Sequence, residues 1–480
     1  MQKKLLLLSF IEGAAVMAAE LCGAKLLAPI FGGSLSVWAA VMGITLAALA
    51  SGYFFGGLVS ERSEKHSLNL YRVLNSAALF IIVMPVISHY AIPWISYLPF
   101  LPGVVISTFA LLFLPVFFLG ASSPLFILVQ TTQNHMAGKV SGMVYAISTV
   151  GGIFATFLCG FYFIPEIGLK ACLVFFGGML FATNFSVFKI FKPHHFFLFA
   201  AFIYLNLQFM TKSSASLMSS DSMLGRVEVK DLIGEKNNPY RILTVNDIVQ
   251  TEMSLKSKKS LSAYVKLIDT LVPLKTGDHS ALILGLGGGL TANLFKEKNY
   301  TTHGVELDKR IIDAAKKYFY LDEDISVFYQ DARYFLNTCT MVYDVILVDI
   351  FKGEEQPSHI LTKESLEKLK NNLTPSSLLL VNWHGYLHGT KGKGSAILYN
   401  TLTHAGFKVK LCGTSADENY RNVLFVASLS DLRDLPYELH EPVEGTDLIN
   451  TDNLPLLEKY NAEANKAWRL NYLRYYQNRN

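Results

Sequence analysis

The sequence is poor in charged residues and in cysteine. Of its 480 residues, 17% are charged and 51% are hydrophobic, a balance that argues against a wholly soluble protein. The cysteines show no paired spacing, which predicts reduced thiols rather than a disulfide framework or a metal site. The five cysteines are Cys22, Cys159, Cys172, Cys339 and Cys412.

The two halves of the chain differ in charge. Of the 42 basic and 38 acidic residues, ten basic and five acidic ones fall within 1–211, which leaves 32 and 33 for the remainder. The basic excess therefore belongs to the flanks of apolar segments. The sequence lacks the basic footprint of a nucleic-acid-binding protein, so no nucleic-acid partner is predicted.

Long apolar runs fill the first half. Most exceed the roughly 20 residues that cross a bilayer core, which predicts a transmembrane helical domain of about seven spans over 1–211 with the lipid bilayer as its partner. Glu12 interrupts the first run and more spans follow, which favours an uncleaved helix over a signal peptide. The runs cover residues 5–30, 34–59, 68–92, 103–130, 140–164, 168–191 and 195–211.

Two acids lie inside the first run, Glu12 and Glu20, about two helical turns apart. An ionisable group at that depth is a functional hypothesis by default. Two alternatives stay open: both acids face the bundle interior and bond to neighbouring helices, or they line a polar substrate cavity. Gly52 and Gly56, four residues apart, predict close helix packing.

Regular patterns divide the second half. Residues 212–221 read as a linker, and short alternating segments in 222–275 predict a small β subdomain, a β-meander with a connecting helix. Residues 276–430 alternate strands with helices, which predicts an α/β doubly wound, Rossmann-like domain. Its closing edge strands are "FKVKLCGT" and "NVLFVASL". A C-terminal tail and helix occupy 431–480.

A glycine-rich turn follows the first strand of this domain, in "ALILGLGGGL". The next strand ends in Glu306, twenty-one residues after Gly285. Glycines let backbone approach a ligand, and a carboxylate at this spacing binds ribose hydroxyls. Two further strands also end in acids, Asp331 and Asp349. The series predicts a site for a dinucleotide or an adenosyl ligand, and the later strand ends favour the adenosyl ligand over a dehydrogenase cofactor.

From about residue 222 to 458 the sequence resembles the spermidine synthase (aminopropyltransferase) family, which has the class I methyltransferase fold. The whole chain resembles bacterial fusions in which a multi-helix membrane domain precedes such a domain. The resemblance implies S-adenosylmethionine or decarboxylated S-adenosylmethionine as cofactor, methylthioadenosine as a product, and a homodimer. The matching strings are "SMLGRVEV", "RILTVNDIVQ", "ILGLGGGL", "GVELD", "QDARYFL", "YDVILVDIF", "PSHILTKE" and "TDNLPLLE".

The resemblance also assigns roles to residues. Glu306 would bind the ribose, Asp331 with Ala332 would meet the adenine, and Asp349 would close the pocket over the reacting sulfonium. Because a sulfonium is already activated, the enzyme mainly aligns an acceptor and keeps it deprotonated. The other residues implied to bind the cofactor are Gln250, Gly285, Gly287, Gly288 and Gly289.

The chain departs from the family on the acceptor side. Leu290 stands where the family has an aspartate for the donor amine, and Lys352 stands where a second aspartate deprotonates the acceptor. The family's Tyr-His-Glu run appears here as Tyr264, Val265 and Lys266. A cation where a polyamine should dock is repulsive, so the sequence predicts a non-standard acceptor site.

Two histidines follow the fourth and fifth strands of the domain. His359 in "PSHILTKE" and His384 in "VNWHGYLHG" are candidate general bases, because a histidine near its ordinary pKa suits proton removal. A loop histidine without a catalytic role is the alternative for each. Lys352 is a further candidate, either as a base or as a partner for the carboxylate of an intact donor.

The C-terminal stretch from Leu456 mixes aromatic and basic residues, including Trp468 and Tyr472. It predicts a helix docked along its own domain, with an interfacial membrane helix as the alternative.

Three functions fit these observations. The first is a membrane-bound transferase that resembles spermidine synthase, with a small-molecule acceptor. The second is an S-adenosylmethionine-dependent methyltransferase that acts on a membrane-associated substrate. The third is a transporter with a catalytically inactive nucleoside-sensing domain.

Basic residues in alternate loops predict a multi-pass inner (plasma) membrane protein with a cytoplasmic N-terminus. Seven complete spans would place the second half outside the cell. Adenosyl cofactors are made and kept in the cytoplasm, which favours a cytoplasmic soluble domain and an incomplete span at 195–211.

Overall fold

The computed structural model has two compact units, residues 1–214 with 220–225 and residues 215–219 with 226–480. The described residues are 2–31, 35–62, 65–95, 97–131, 137–190, 197, 199–201, 203–204, 216–222, 224–234, 237–351, 356–439 and 445–477.

The first unit consists of apolar helices. Five described stretches are long and apolar enough to cross a membrane: Lys3–Ala28, Leu35–Arg62, His66–Tyr90, Phe100–Gln130 and Ala137–Phe188. These stretches fit a membrane protein. The helices are α1 (Gln2–Phe31), α2 (Leu35–Arg62), α3 (His66–Tyr90), α4 (Ile92–Ile95), α5 (Phe100–Thr108), α6 (Leu114–Gln130), α7 (Ala137–Leu158) and α8 (Ile164–Phe188).

The last of these stretches contains a break. Its 52 residues would reach about 78 Å as one straight helix, more than twice the thickness of the hydrocarbon core. Gly168, with φ 79° and ψ 169°, interrupts the helical backbone close to the boundary between the predicted runs 140–164 and 168–191. The predicted run 195–211 lies largely outside the described residues.

Small residues set the closest helix contacts. A Cβ added at Gly52 would collide with the carbonyl oxygen of Phe117 on α6, and one at Gly56 would collide with that of Ala121. This confirms the close packing that the glycine spacing predicts. Two cysteines of this unit are also close together: the sulfurs of Cys159 and Cys172 lie 3.6 Å apart. All five cysteines are free thiols.

A four-stranded sheet in the order β1-β2-β3-β4 follows the apolar helices in the sequence, and it includes the predicted meander. Strand β1 lies where the sequence predicts a linker. Its serine-rich sequence has no apolar run to signal a strand. The strands are β1 (Ser216–Ser222), β2 (Gly225–Ile233), β3 (Pro239–Val245) and β4 (Ile248–Ser254).

A seven-stranded sheet follows in the order β10-β11-β9-β8-β5-β6-β7. Its strands are β5 (Ser280–Leu284), β6 (Thr301–Glu306), β7 (Ser326–Tyr329), β8 (Tyr343–Val348), β9 (Leu373–His384), β10 (Lys408–Gly413) and β11 (Asn422–Ser428). Strands β5 to β9 pair in parallel, which confirms the predicted doubly wound domain.

Helices connect these strands. They are α9 (Ala263–Leu271), α10 (Leu290–Glu297), α11 (Lys309–Tyr318), α12 (Ala332–Thr338), α13 (Lys363–Leu369), α14 (Gly389–His404) and α15 (Leu457–Gln477).

One predicted edge strand is an interior strand. Strand β11 lies between β9 and β10 and pairs antiparallel with both, so only β10 closes this side of the sheet. The prediction that both are edge strands is wrong for β11. Its side chains from Val423 to Ser428 are all buried, and an apolar run of this kind is typical of an interior strand.

Candidate functional site

The glycine turn leaves β5 at the carboxyl edge of the parallel strands. Gly285, with φ 93°, donates its N–H to the Val305 carbonyl at 2.9 Å. A Cβ at this position would collide with the Asp349 carbonyl oxygen. Gly289, with φ 76°, immediately precedes α10. Positive φ and close backbone approach both require glycine here.

Strand β4 holds the turn from one side. The N–H of Gly288 donates to Thr251 Oγ1 at 2.7 Å, and a Cβ at Gly287 would lie 2.9 Å from the same oxygen. Gln250, the neighbouring residue and a predicted cofactor contact, is half-buried. Thr251 could not be predicted from the sequence, because a single threonine in an alternating strand carries no distinguishing signal.

Glu306 lies at the end of β6, beside the glycine turn. Its Oε2 accepts the Leu286 N–H at 3.1 Å and its Oε1 accepts the Asp308 N–H at 2.9 Å. Burial raises the pKa of Glu306, and these backbone hydrogen bonds oppose the rise. Each carboxylate oxygen keeps a second lone pair for a ribose hydroxyl.

Asp331 follows β7 and caps α12, where its Oδ1 accepts the Tyr334 N–H at 3.0 Å. Ala332, the other predicted adenine contact, is buried. His359 lies here too, with Nε2 3.7 Å from Asp331 Oδ2 and a side chain that is 57% exposed. The structure therefore places His359 beside the predicted adenine contact.

The segment that carries His359 is fixed by the late "TDNLPLLE" string. Arg333 donates to the His359 carbonyl at 2.7 Å and to Asp452 Oδ2 at 2.7 Å. Asn450 donates to the Ser358 carbonyl at 3.0 Å. The segments around His359 and Asp452, about ninety residues apart in the sequence, are thus joined by hydrogen bonds near the carboxyl ends of the parallel strands.

Asp349 directly follows β8 and has a donor on each carboxylate oxygen. The Tyr264 hydroxyl donates to Oδ2 at 2.9 Å, and Asn382 Nδ2 donates to Oδ1 at 2.8 Å. Asn422 donates in turn to Asn382 Oδ1 at 3.1 Å. Neither asparagine was among the predicted site residues, although Asn382 is a polar residue near the end of an apolar strand.

Burial is the main influence on the acidity of this group. It raises the pKa of Asp349, and the hydrogen bonds from Asn382 and Tyr264 oppose the rise. Burial and the neighbouring Asp349 carboxylate raise the pKa of Tyr264 well above its ordinary value. Tyr264 therefore stays a neutral hydrogen-bond donor at physiological pH.

Leu290, the residue in place of the family's amine-binding aspartate, is 7% exposed. Its side chain belongs to an apolar cluster with residues of β2, β3 and β4, among them Val229 and Leu243. The start of α10 is thus committed to packing. Lys352 lies outside the described residues.

His384 ends β9 and is 1% exposed. Its ring stacks on Trp468 of α15 with centroids 4.6 Å apart, and Trp468 stacks on Tyr472 at 4.8 Å. Phe351 approaches the same histidine at 5.5 Å. Aromatic rings therefore cover the end of β9, next to Asp349 and its partners Tyr264 and Asn382.

Helix α15 is docked along its own unit. It packs on α14 and contacts β4 and β9, and Arg469 donates to the Asn246 carbonyl at 2.7 Å while its side chain is fully buried. This confirms the predicted docking for the helix through Tyr472. The side chains beyond Tyr472 lie outside the described residues.

We expect Trp468→Leu to destabilise the full-length protein by about 1–3 kcal/mol, because it removes the ring stack on His384 and part of the buried surface. Chemical unfolding in detergent, followed by the fluorescence of a label in the second unit, measures the change. Trp468→Phe retains a ring and should lose less than half as much stability. Equal losses in the two variants would show that stacking contributes little.

The metal-ligating residue types form no metal site within the described ranges, where no group of three or more His, Cys, Asp or Glu is arranged to hold an ion. The site is instead built from a glycine turn, three strand-end acids and aromatic side chains.

The fold and this arrangement of residues define a class of protein: an α/β domain of the class I methyltransferase type that follows a unit of long apolar helices in the sequence. Within the second unit, residues 263–383 match the family model described as "Spermine/spermidine synthase domain". The predicted resemblance is confirmed for this segment, which is similar to spermine and spermidine synthase domains.

Curated relatives carry related names. A "Probable polyamine aminopropyl transferase" of Bifidobacterium longum is 29% identical over 165 residues, which are 34% of this chain and 36% of the relative. A "Polyamine aminopropyltransferase" of Vibrio vulnificus is 35% identical over 134 residues, 26% of this chain and 45% of the relative. The chain thus spans less than half the length of each of these relatives.

One similar solved structure is that of a "probable spermidine synthase" from Corynebacterium glutamicum. It shares 17% sequence identity with this chain and has a TM-score of 0.39. The match covers 46% of this chain and 82% of that chain.

Proposed function

We propose that the protein is a membrane-bound transferase that uses an S-adenosylmethionine-type donor, intact or decarboxylated, and a non-standard acceptor. The observation that supports this most is the placement of Glu306, Asp331 and Asp349 at the carboxyl ends of β6, β7 and β8, beside the glycine turn of β5. In doubly wound sheets, ligands bind outside this edge. A nucleoside there would have a carboxylate for its ribose and an acid at its reacting end.

The acceptor would approach between Asp349 and the rings that cover His384. Among the described residues, this side offers the Asp349 carboxylate, which already has two donors, from Tyr264 and Asn382, together with aromatic surfaces. A polyamine with several charges needs more than one carboxylate partner. We therefore propose an acceptor with little positive charge, delivered by or dissolved in the membrane.

Methyl transfer is the second candidate, and the position of Leu290 favours it. A leucine at this position supplies no carboxylate for the amine of an aminopropyl donor, and its side chain packs into the apolar cluster. An intact donor carries its own carboxylate, which Lys352 would pair with. A transporter with a nucleoside-sensing domain is the third candidate, supported by the buried Glu12 of the first unit.

Calorimetry with intact and decarboxylated S-adenosylmethionine tests the donor. We expect at least one of these two donors to bind saturably to the full-length protein. Binding of the decarboxylated form alone would reject the methyl-transfer candidate. Absence of binding by both forms, in a protein with a normal unfolding transition, would reject an adenosyl donor altogether.

We expect His359→Ala to weaken donor binding by about 2- to 10-fold, the effect of one lost polar contact, because His359 lies beside Asp331. The Michaelis constant for the acceptor should stay unchanged. His404→Ala, at an exposed histidine on α14, is the matched control and should leave both constants alone. A change confined to the acceptor constant would instead place His359 on the acceptor side.

We also propose a cytoplasmic second unit and a homodimer. A C-terminal reporter that is active on only one side of the membrane tests the first, and activity on the outer side would contradict it. Native mass measurement of the detergent-solubilised protein tests the second, for which a monomer would be the contrary result.

A further inference from the structure

The carboxyl group of Glu12 is enclosed by the helices of the first unit. It is 3% exposed, and the Ser148 hydroxyl on α7 donates to its Oε2 at 2.9 Å. The Ser122 hydroxyl on α6 lies near the same carboxyl. Three helices thus meet at one acid.

The Ser122 hydroxyl has already used its hydrogen. It donates to the Leu119 carbonyl at 2.6 Å, one turn back on α6. A serine hydroxyl has one hydrogen and two lone pairs. The Ser122 oxygen can therefore accept a hydrogen bond from a protonated Glu12 carboxyl.

There is no room for a larger ligand between α1 and α7 beside Glu12. A Cβ added at Gly13 would collide with the Ser148 carbonyl oxygen, and one at Gly151 would collide with that of Phe10. The two helices are in backbone contact on both sides of the acid. A metal or ammonium ion has no space between α1 and α7 at this level, whereas a proton on the carboxyl needs none.

Charged groups on the same helix lie too far along the axis to neutralise Glu12. Glu20 and Lys25 follow it by eight and thirteen residues, about 12 and 20 Å along α1. On α8, Cys172 lies next to Cys22, which follows Glu12 by ten residues on α1. Lys170 is two residues from Cys172, so it too lies far from Glu12 along the helix axis.

The other helices that pack on α1 present phenols to this region. Tyr53 on α2 is close enough to interact electrostatically with Glu12 and with Tyr145 on α7, while α5 and α6 contain no titratable residue. The exposed charged residues of the first unit's described helices are Lys3, Lys4, Glu61, Arg62, Arg72, Lys139 and Glu166.

We infer that Glu12 is a proton-binding site within the membrane unit, where the neutral acid donates to Ser122 and accepts from Ser148. Intramembrane acids of this kind serve as proton relays. The first unit is then more than an anchor, since it holds a group that can exchange a proton. This inference does not depend on the proposed transferase function.

Infrared difference spectroscopy of the full-length protein in bilayers tests the site. The spectrum of the wild type minus that of Glu12→Gln should contain the C=O stretch of a protonated carboxylic acid at neutral pH, and this band should move to lower frequency in D2O. Glu20→Gln, the matched control, should keep the band. Loss of carboxylate bands in Glu12→Gln, with no change in the protonated-acid band, would overturn the inference.

Two serine variants separate this role from a structural one. Ser122→Ala removes the acceptor for the acid hydrogen, so the band should titrate away at lower pH than in the wild type. Ser148→Ala removes a donor that stabilises the anion more than the acid, so the band should persist to higher pH. Shifts in the same direction, or none, would contradict the assigned bonds, and both variants serve even if Glu12→Gln does not fold.

Discussion

Asp349→Asn is expected to lower kcat/KM for group transfer by about 100-fold or more, the range for loss of a positioned acid–base group. The substitution keeps the size of the side chain but removes the charge that would face the sulfonium. It also turns one oxygen into an NH2 group, which leaves either Tyr264 or Asn382 without its acceptor. Initial rates at saturating donor, with each variant in detergent, measure the change.

Asp313→Asn is the matched control, because Asp313 is exposed on α11 and its variant should keep wild-type rates. An Asp349→Asn variant with roughly half the wild-type kcat/KM or more would remove Asp349 from the reaction. In the wild type the rate should rise with pH through the pKa of Asp349, which burial places above its ordinary value of 3.8, since the ionised form is the one that acts.

Glu306→Gln is expected to weaken donor binding by about 10- to 100-fold, the effect of losing a charged hydrogen-bond acceptor. Glu306 accepts the N–H groups of Leu286 and Asp308, one on each oxygen. A glutamine would direct its NH2 group at one of these donors and would lose the charge for the ribose. Calorimetric titration of the full-length protein with the donor gives the change, and Glu323→Gln, at an exposed acid, is the control.

The pH dependence of binding has a definite sign. Burial raises the pKa of Glu306 above its ordinary value of 4.5, so affinity should fall as the pH falls through that raised pKa. The contribution to the free energy of unfolding has the opposite sign. It is fully present below pH 4.5 and declines as the pH rises through the pKa of the folded state, because the folded protein holds the proton more tightly. Donor affinity that is constant across this range would show that the Glu306 charge is not used.

The sequence predicted the parts of the site that repeat a local pattern. A glycine turn after a strand, followed by strands that end in Glu306, Asp331 and Asp349, predicted the parallel sheet and the edge at which these acids meet. It could not reveal the partners of Asp349, since Tyr264 lies 85 residues away in the sequence and pairs with it only through the fold.

Other features of the structure differ from the prediction because one local sequence pattern is compatible with two structures. Strand β11 has the apolar run of any buried strand, so its position between β9 and β10 depends on the return of the chain. Leu290 aligns with a ligand-binding position, but the structure commits its side chain to the apolar cluster. The sequence left open whether Glu12 bonds to neighbouring helices or lines a polar cavity, because its bond to Ser148 on α7 depends on how the helices pack.

We propose that an adenosyl donor reacts at the edge defined by Glu306 and Asp349. The most direct measurement is incubation of full-length protein in bilayers with isotopically labelled intact and decarboxylated S-adenosylmethionine and a membrane extract as the acceptor source, with separation of the nucleoside products. We expect methylthioadenosine from the decarboxylated donor or adenosylhomocysteine from the intact donor, and neither from Asp349→Asn. Donor that binds but is recovered unchanged from the wild type, with every extract tried, would contradict the claim.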